Sequence, residues 1–132
     1  MDSKAPLILG YWKIRGLYSP IIYMLKYLKV EYVEVQYDQG DGPEFSREDW
    51  YSVKFTLGYD FPNLPYLQDG ELKVTETPAI LRHIARKFGS AEFNGKNNKD
   101  KANIDMVYGL VSDIRYDTMF QCYLTGDIKN AS

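Results

Sequence analysis

The sequence contains one cysteine, Cys122, and no Cys-X-X-Cys pair, which excludes an internal disulfide framework and a dithiol redox centre. It contains one histidine, His83, with no metal-type ligand spaced to join it on the same predicted helix, so that residue reads as an interface or surface histidine. Cys122 reads as a buried, inert thiol. Neither sign of charge dominates: the formal net charge is −2 with both signs interspersed, leaving no footprint for nucleic acid or an anionic membrane surface. No apolar stretch is long enough for a signal-peptide core or a membrane span. Internal repeats and low-complexity tracts are also missing. These absences fit a soluble cytoplasmic protein.

Aromatic residues are plentiful by contrast, with twelve tyrosines, six phenylalanines and two tryptophans in 132 residues. Core and interface packing accounts for most of them. Leu7-Ile8-Leu9 is a short apolar run suited to a strand buried on both faces. Beyond Gly10 and a loop through Arg15-Gly16, Ser19-Pro20 predicts an N-cap with a first-turn proline. Ile21, Ile22, Leu25 and Leu28 supply the apolar stripe of that helix. Val33, Val35 and Tyr37 alternate with Glu34 and Gln36, a strand pattern. Residues 40–50 are polar and broken by Gly42-Pro43, predicting a loop with one irregular helical turn.

From Tyr66 to Val74 the pattern is strand, Asp69-Gly70 turn, strand. Thr77-Pro78 then predicts a second N-cap and first-turn proline, with Ile80, Leu81, Ile84 and Phe88 on the core face and Gly89 as the stop. A β-α-β unit followed by a hairpin and a helix makes a small mixed sheet, as in a thioredoxin-like module. The expected organisation is a domain over residues 1–88, a Gly/Asn/Lys/Asp-rich linker over 89–102, and a helix from Asn103 to about Tyr123 within a segment 103–132. Ile104, Val107, Leu110, Val111 and Ile114 recur on that last helix at helical spacing. Its apolar face calls for a cover beyond the small domain.

Three short segments carry chemistry. Tyr11 ends the first strand, where side chains of open α/β sheets face the ligand crevice. A phenol there can donate to a thiolate and favour the ionised form. Moving a thiol from its ordinary ~8.5 down by two units requires about 2.7 kcal/mol. One charge-assisted hydrogen bond supplies roughly 1.5–3 kcal/mol, so a single phenol is sufficient. Taken alone, Tyr11 reads as a packed strand-end tyrosine. Asn63-Leu64-Pro65 has a proline entering a hairpin strand, a place for a cis peptide that presents the preceding backbone to an extended peptide. A plain turn proline is the alternative. Glu76-Thr77-Pro78 opens a helix whose positive end attracts a carboxylate, while Glu76 would attract an amine. An ordinary helix cap is again the alternative. Together the three describe a cleft for a short peptide bearing a thiol and a free amino-acid head group.

The stretches "ILGYW", "IRGL", "KFTLGYDFPNLPYL", "AILRHIARK" and "SDIRY" resemble the mu class of glutathione transferases across Leu7 to Tyr123. That resemblance implies a thioredoxin-like glutathione-binding domain followed by the start of an all-α domain. It implies that Tyr11 hydrogen-bonds the glutathione sulfur. Trp12, Arg47, Trp50 and Lys54 would hold the glycine end, and Asn63 and Leu64 would clamp the backbone, with Pro65 the cis proline. Thr77 would take the γ-glutamyl carboxylate, and Leu17 would stand between the glutathione and electrophile sites. Tyr123 would assist the electrophile, Asp113 would reach the neighbouring subunit's γ-glutamyl amine, and Phe61 would insert into the partner of a homodimer. The implied activity is conjugation of glutathione, as co-substrate and without a metal, to small hydrophobic electrophiles in detoxification.

Position 76 is glutamine in most of the class and glutamate here, and Thr77 replaces a serine. Members also continue through further helices that complete the electrophile pocket. If residues 1–132 were the whole product, the expectation is a marginally stable or aggregation-prone chain, and the alternative function is a catalytically impaired glutathione-binding or structural module. A thiol–disulfide oxidoreductase fails because no cysteine lies near Tyr11.

Overall fold

In the computed structural model, residues 6–122 are described. The chain divides into two compact units, Met1–Ser90 and Ala91–Ser132.

The first unit is built on a four-stranded sheet of order β2-β1-β3-β4, with β1 at Leu7–Trp12, β2 at Tyr32–Tyr37, β3 at Tyr66–Asp69 and β4 at Leu72–Thr75. β1 runs parallel to β2, with Leu7 opposite Tyr32 and Trp12 opposite Tyr37. It runs antiparallel to β3, with Gly10 opposite Tyr66. The parallel pair needs a crossover, and α1 (Ser19–Tyr27) supplies it; the antiparallel β3–β4 pair needs only the Asp69-Gly70 turn. Gly70 sits at φ +61°, where a Cβ would be strained. This is the mixed, thioredoxin-like arrangement expected for the sequence.

Leu9, Leu67, Ile21, Leu25, Ile80 and Ile84 are fully buried, joining β1 and β3 to α1 and to α3 (Thr77–Phe88). Burying such side chains stabilises the unit by about 1.5–3 kcal/mol each. β2 is an edge strand, and Val33 on it is 48% exposed despite the alternating pattern that placed it inside. A strand with one neighbour covers only part of its apolar face.

Both expected N-caps shift by one residue. Tyr18 caps α1 and Glu76 caps α3, so Ser19 and Thr77 are the first helical residues and Pro20 and Pro78 the second. Neither cap residue makes a side-chain capping bond. A single 3-10 turn, Gly16–Tyr18, leads directly into α1 and takes the place that a capping serine would otherwise fill. The Ser19 hydroxyl instead donates back to the Arg15 carbonyl at 3.1 Å. In the polar stretch after β2 only α2, Glu48–Tyr51, is helical, as one short turn.

The second unit begins with α4 (Ala91–Asn94) and continues as α5, Asn98–Phe120. Helix therefore occupies part of the segment read as linker. The reason is local: the Asn97 side chain accepts the Asp100 N–H at 3.0 Å, a true N-cap that outweighs the loop-forming composition around it. No residue of α5 is buried, and Ile104, Val107, Leu110, Val111 and Ile114 are all exposed. Cys122 is half-buried rather than enclosed. No helix of the described residues is long and apolar enough to cross a membrane.

Candidate functional site

Tyr11 stands near the C-terminal end of β1 with its ring buried, 6% exposed. Its ring stacks on Tyr18, with centroids 5.7 Å apart and planes 6° apart. The Leu17 backbone N–H donates to the Tyr11 hydroxyl oxygen at 3.1 Å. That contact needs the chain to fold tightly around the phenol. Gly16 allows it: φ is +31°, and a Cβ there would lie 2.5 Å from Tyr11 Oη. With its oxygen already accepting one hydrogen bond, the phenol keeps its own proton to donate, and the accepted bond polarises it as a donor. Burial is the main cause that pushes the neighbouring Tyr18 phenol above its ordinary value, with the Glu34 carboxylate adding to it, so Tyr18 stays protonated.

Across the sheet, the Leu64–Pro65 peptide is cis, as expected, and leads into β3. A second cis bond, Gly42–Pro43, was not foreseen. The Leu64 N–H is engaged by Asn63 Oδ1 at 2.9 Å, so the clamp segment is braced by its own side chain. Asn63 Nδ2 donates to Glu76 Oε1 at 3.3 Å, which brings the start of β3 to the start of α3. Glu76 has φ +71°, an uncommon conformation for a residue with a Cβ. Next to it Thr77 is 5% exposed, and its hydroxyl is buried without a hydrogen-bond partner. A buried unsatisfied hydroxyl costs about 1–3 kcal/mol, and this one lies at the positive end of a 12-residue helix. The arrangement suits a carboxylate.

The structure thus joins Tyr11 with Leu17, and Asn63 and Leu64 with Glu76 and, through the chain, Thr77. Trp50 is nearly closed off at 3% exposure, packed on Tyr37 at 5.2 Å and Tyr66 at 6.1 Å. It is therefore a wall more than an open contact surface. Lys54 places its ammonium over the Tyr51 ring at 5.7 Å and the Phe55 ring at 5.3 Å. Trp12 is half-buried and Arg47 exposed. Phe61 is 80% exposed. Asp113 stands exposed on α5 in the second unit, and Tyr123 lies outside the described residues.

Sequence reading missed one cluster. Asp69 Oδ2 meets His83 Nε2 at 2.8 Å and also accepts from Lys87 Nζ. His83 is thus half-buried and hydrogen-bonded to Asp69. The signal was available, since His83 and Lys87 are four residues apart on α3, but Asp69 had been explained fully by its turn. Burial works to raise the Asp69 carboxyl, but the hydrogen bonds from Lys87 and His83 outweigh it and hold the group below its ordinary 3.8. A depressed carboxyl contributes stability that is present above the unfolded value and is lost as pH falls through the folded one. Acid unfolding followed by circular dichroism is therefore expected to be less steep below about pH 4 in Asp69→Asn than in the unmodified chain.

A family model described as the N-terminal domain of glutathione S-transferase matches residues 8–86. The chain is 45% identical over 118 residues to Glutathione S-transferase Mu 1 of Mus musculus, covering 89% of this chain and 53% of that protein. It is 41% identical over 123 residues to Glutathione S-transferase Mu 3 of Homo sapiens, covering 93% and 53%. Among solved structures, a Pi-class glutathione S-transferase of Onchocerca volvulus superposes with a TM-score of 0.71 at 30% identity, covering 89% of this chain and 50% of that one. The chain spans about half the length of the curated relatives it matches.

Proposed function

The chain belongs to the glutathione S-transferase family, and from that premise we propose that it binds glutathione with the sulfur at Tyr11 and conjugates it to hydrophobic electrophiles. The observation that carries this reading is the Leu17 N–H on the Tyr11 oxygen, which leaves the phenolic proton as a donor for a thiolate. The thiol proton leaves to solvent; the thiolate then forms a C–S bond to the electrophile, whose leaving group departs with the bonding pair. No covalent enzyme intermediate and no metal are needed.

The other assignments follow the shape of the tripeptide. The γ-glutamyl carboxylate sits at the N-terminus of α3 on Thr77, and Glu76 takes the amine. Leu64 and the cis Pro65 border the cysteinyl backbone, and Leu17 stands between the two substrate sites. The glycine carboxylate lies toward Arg47 and Lys54, with Trp12 and Trp50 as walls. Lys54 must then exchange its aromatic contacts for a carboxylate, a favourable trade for a paired charge. The functional form is a cytoplasmic homodimer in which the exposed Phe61 inserts into the partner, Asp113 approaches the partner's γ-glutamyl amine, and Tyr123 serves the electrophile.

The exposure of Ile104, Val107, Leu110, Val111 and Ile114 on α5 favours a second reading, in which glutathione binds but the electrophile wall is incomplete. Steady-state conjugation of an activated aryl halide by the chain separates the two. Turnover that saturates in both substrates supports the transferase; glutathione binding with only the solution rate of conjugation supports the binding module.

A further inference from the structure

The Asp69, His83 and Lys87 cluster lies at the end of β3 away from Tyr11 and toward the end of α3 away from Thr77. Asp69 is at the end of β3, with its side chain 9% exposed, while His83 and Lys87 occupy one flank of α3. The core face of α3, Ile80 and Ile84, lies beside that flank. Ile80 and Ile84, both fully buried, set the face that α3 turns to the sheet. Charge-assisted hydrogen bonds are directional, and two of them converge on one carboxylate oxygen here. They add a directional restraint on the roll of α3 near its C-terminal end.

That roll decides where the first residue of the helix points. Thr77 is buried with an unpartnered hydroxyl, and at that end Asn63 donates to Glu76 at 3.3 Å and the Thr75 hydroxyl to the Phe61 carbonyl at 2.9 Å. We infer that Asp69, gripped by His83 and Lys87, is a positioning residue that sets the angle at which α3 presents Thr77 to the γ-glutamyl carboxylate of glutathione. The inference rests on the glutathione reading above and adds residues that none of its contacts include. The cluster acts through the helix and touches no substrate, and it lies away from Tyr11.

The test is glutathione affinity by calorimetry for Asp69→Asn, Lys87→Met and Lys87→Arg, with the thiolate absorbance of bound glutathione titrated against pH on the same samples. Asp69→Asn and Lys87→Met are expected to weaken binding by roughly two- to thirtyfold, the range for changes that act through a packed element. Lys87→Arg keeps the cation and is expected to restore affinity close to that of the unmodified chain. The thiolate midpoint is expected to stay fixed in all three, because the sulfur site is untouched. Unchanged affinity in Asp69→Asn and Lys87→Met overturns the positioning role. So does a thiolate midpoint that moves in step with affinity, which is the mark of general loosening. Failure of the unmodified chain to bind glutathione would remove the functional reading itself, a distinct result from binding that the variants leave unaltered.

Discussion

Gly10→Ala is expected to destabilise the first unit by about 3 kcal/mol, at the upper end for overpacking a core. Gly10 lies opposite Tyr66 in the β1–β3 register, and the Tyr66 ring covers its backbone. A Cβ at Gly10 would stand 2.2 Å from Tyr66 Cζ, 2.3 Å from Cε1 and 2.7 Å from Cε2. The ring has no way out. Tyr59 packs on it at 4.9 Å and Trp50 at 6.1 Å, and its hydroxyl shares a 3.0 Å hydrogen bond with that of Tyr37. Burial first, and the Tyr37 hydroxyl next, keep the Tyr66 phenol protonated well above its ordinary value. Relief therefore has to come from the sheet itself. Urea unfolding measures the loss, and the double variant Gly10→Ala/Tyr66→Leu should recover part of it, a coupling expected only for residues in contact. Gly109→Ala is the control. It sits within α5 with nothing within 4 Å of the added carbon, and the same substitution there should stabilise the helix by up to about 1 kcal/mol.

Tyr11→Phe carries the largest expected functional effect. Removing the hydroxyl withdraws one charge-assisted hydrogen bond from the bound sulfur, about 2–3 kcal/mol, and should raise the thiol pKa of bound glutathione by about two units. At neutral pH that cuts the thiolate fraction, and with it the conjugation rate, by roughly twenty-five-fold. Affinity should change less, since the carboxylate and backbone contacts remain. Ultraviolet absorbance of the thiolate, titrated against pH, reads the pKa directly. Tyr18→Phe separates chemistry from packing. It keeps the stacked ring on Tyr11 but deletes a buried hydroxyl beside the Glu34 carboxylate, and should leave the thiolate midpoint in place.

The elements legible in the sequence were those fixed by local chemistry. The apolar run at Leu7–Leu9, the Asp69-Gly70 turn and the proline after Leu64 each allow few backbone solutions, and each lies in the structure where the pattern placed it. Positions set by tertiary neighbours were less legible. Val33 has the alternation of an inward residue, yet β2 is an edge and the residue is half exposed. Ser19 and Thr77 looked like caps because their side chains suit that role, but a 3-10 turn and the positive φ of Glu76 moved both helix starts back one residue. The start of α5 was hidden by composition: Asn97 and Asp100 look like linker residues until one is seen to cap the other.

Within the candidate site, Tyr11, Asn63, Leu64, Glu76 and Thr77 are singled out by strand end, turn and helix start. What gives them chemical direction was not visible. The Leu17 N–H on the phenol depends on Gly16, and the unpartnered state of the Thr77 hydroxyl depends on every neighbour that fails to reach it. Long-range pairs such as Asp69 with His83 carry no sequence signature beyond the spacing of His83 and Lys87.

The central claim is that Tyr11 and Thr77 hold glutathione together, and calorimetric titration with glutathione tests it most directly, using the unmodified chain and Thr77→Val side by side. Saturable binding of one glutathione per chain, weakened roughly fivefold or more by loss of the Thr77 hydroxyl, is the predicted result. A folded chain that takes up no glutathione, or binds it equally well in Thr77→Val, would contradict the account.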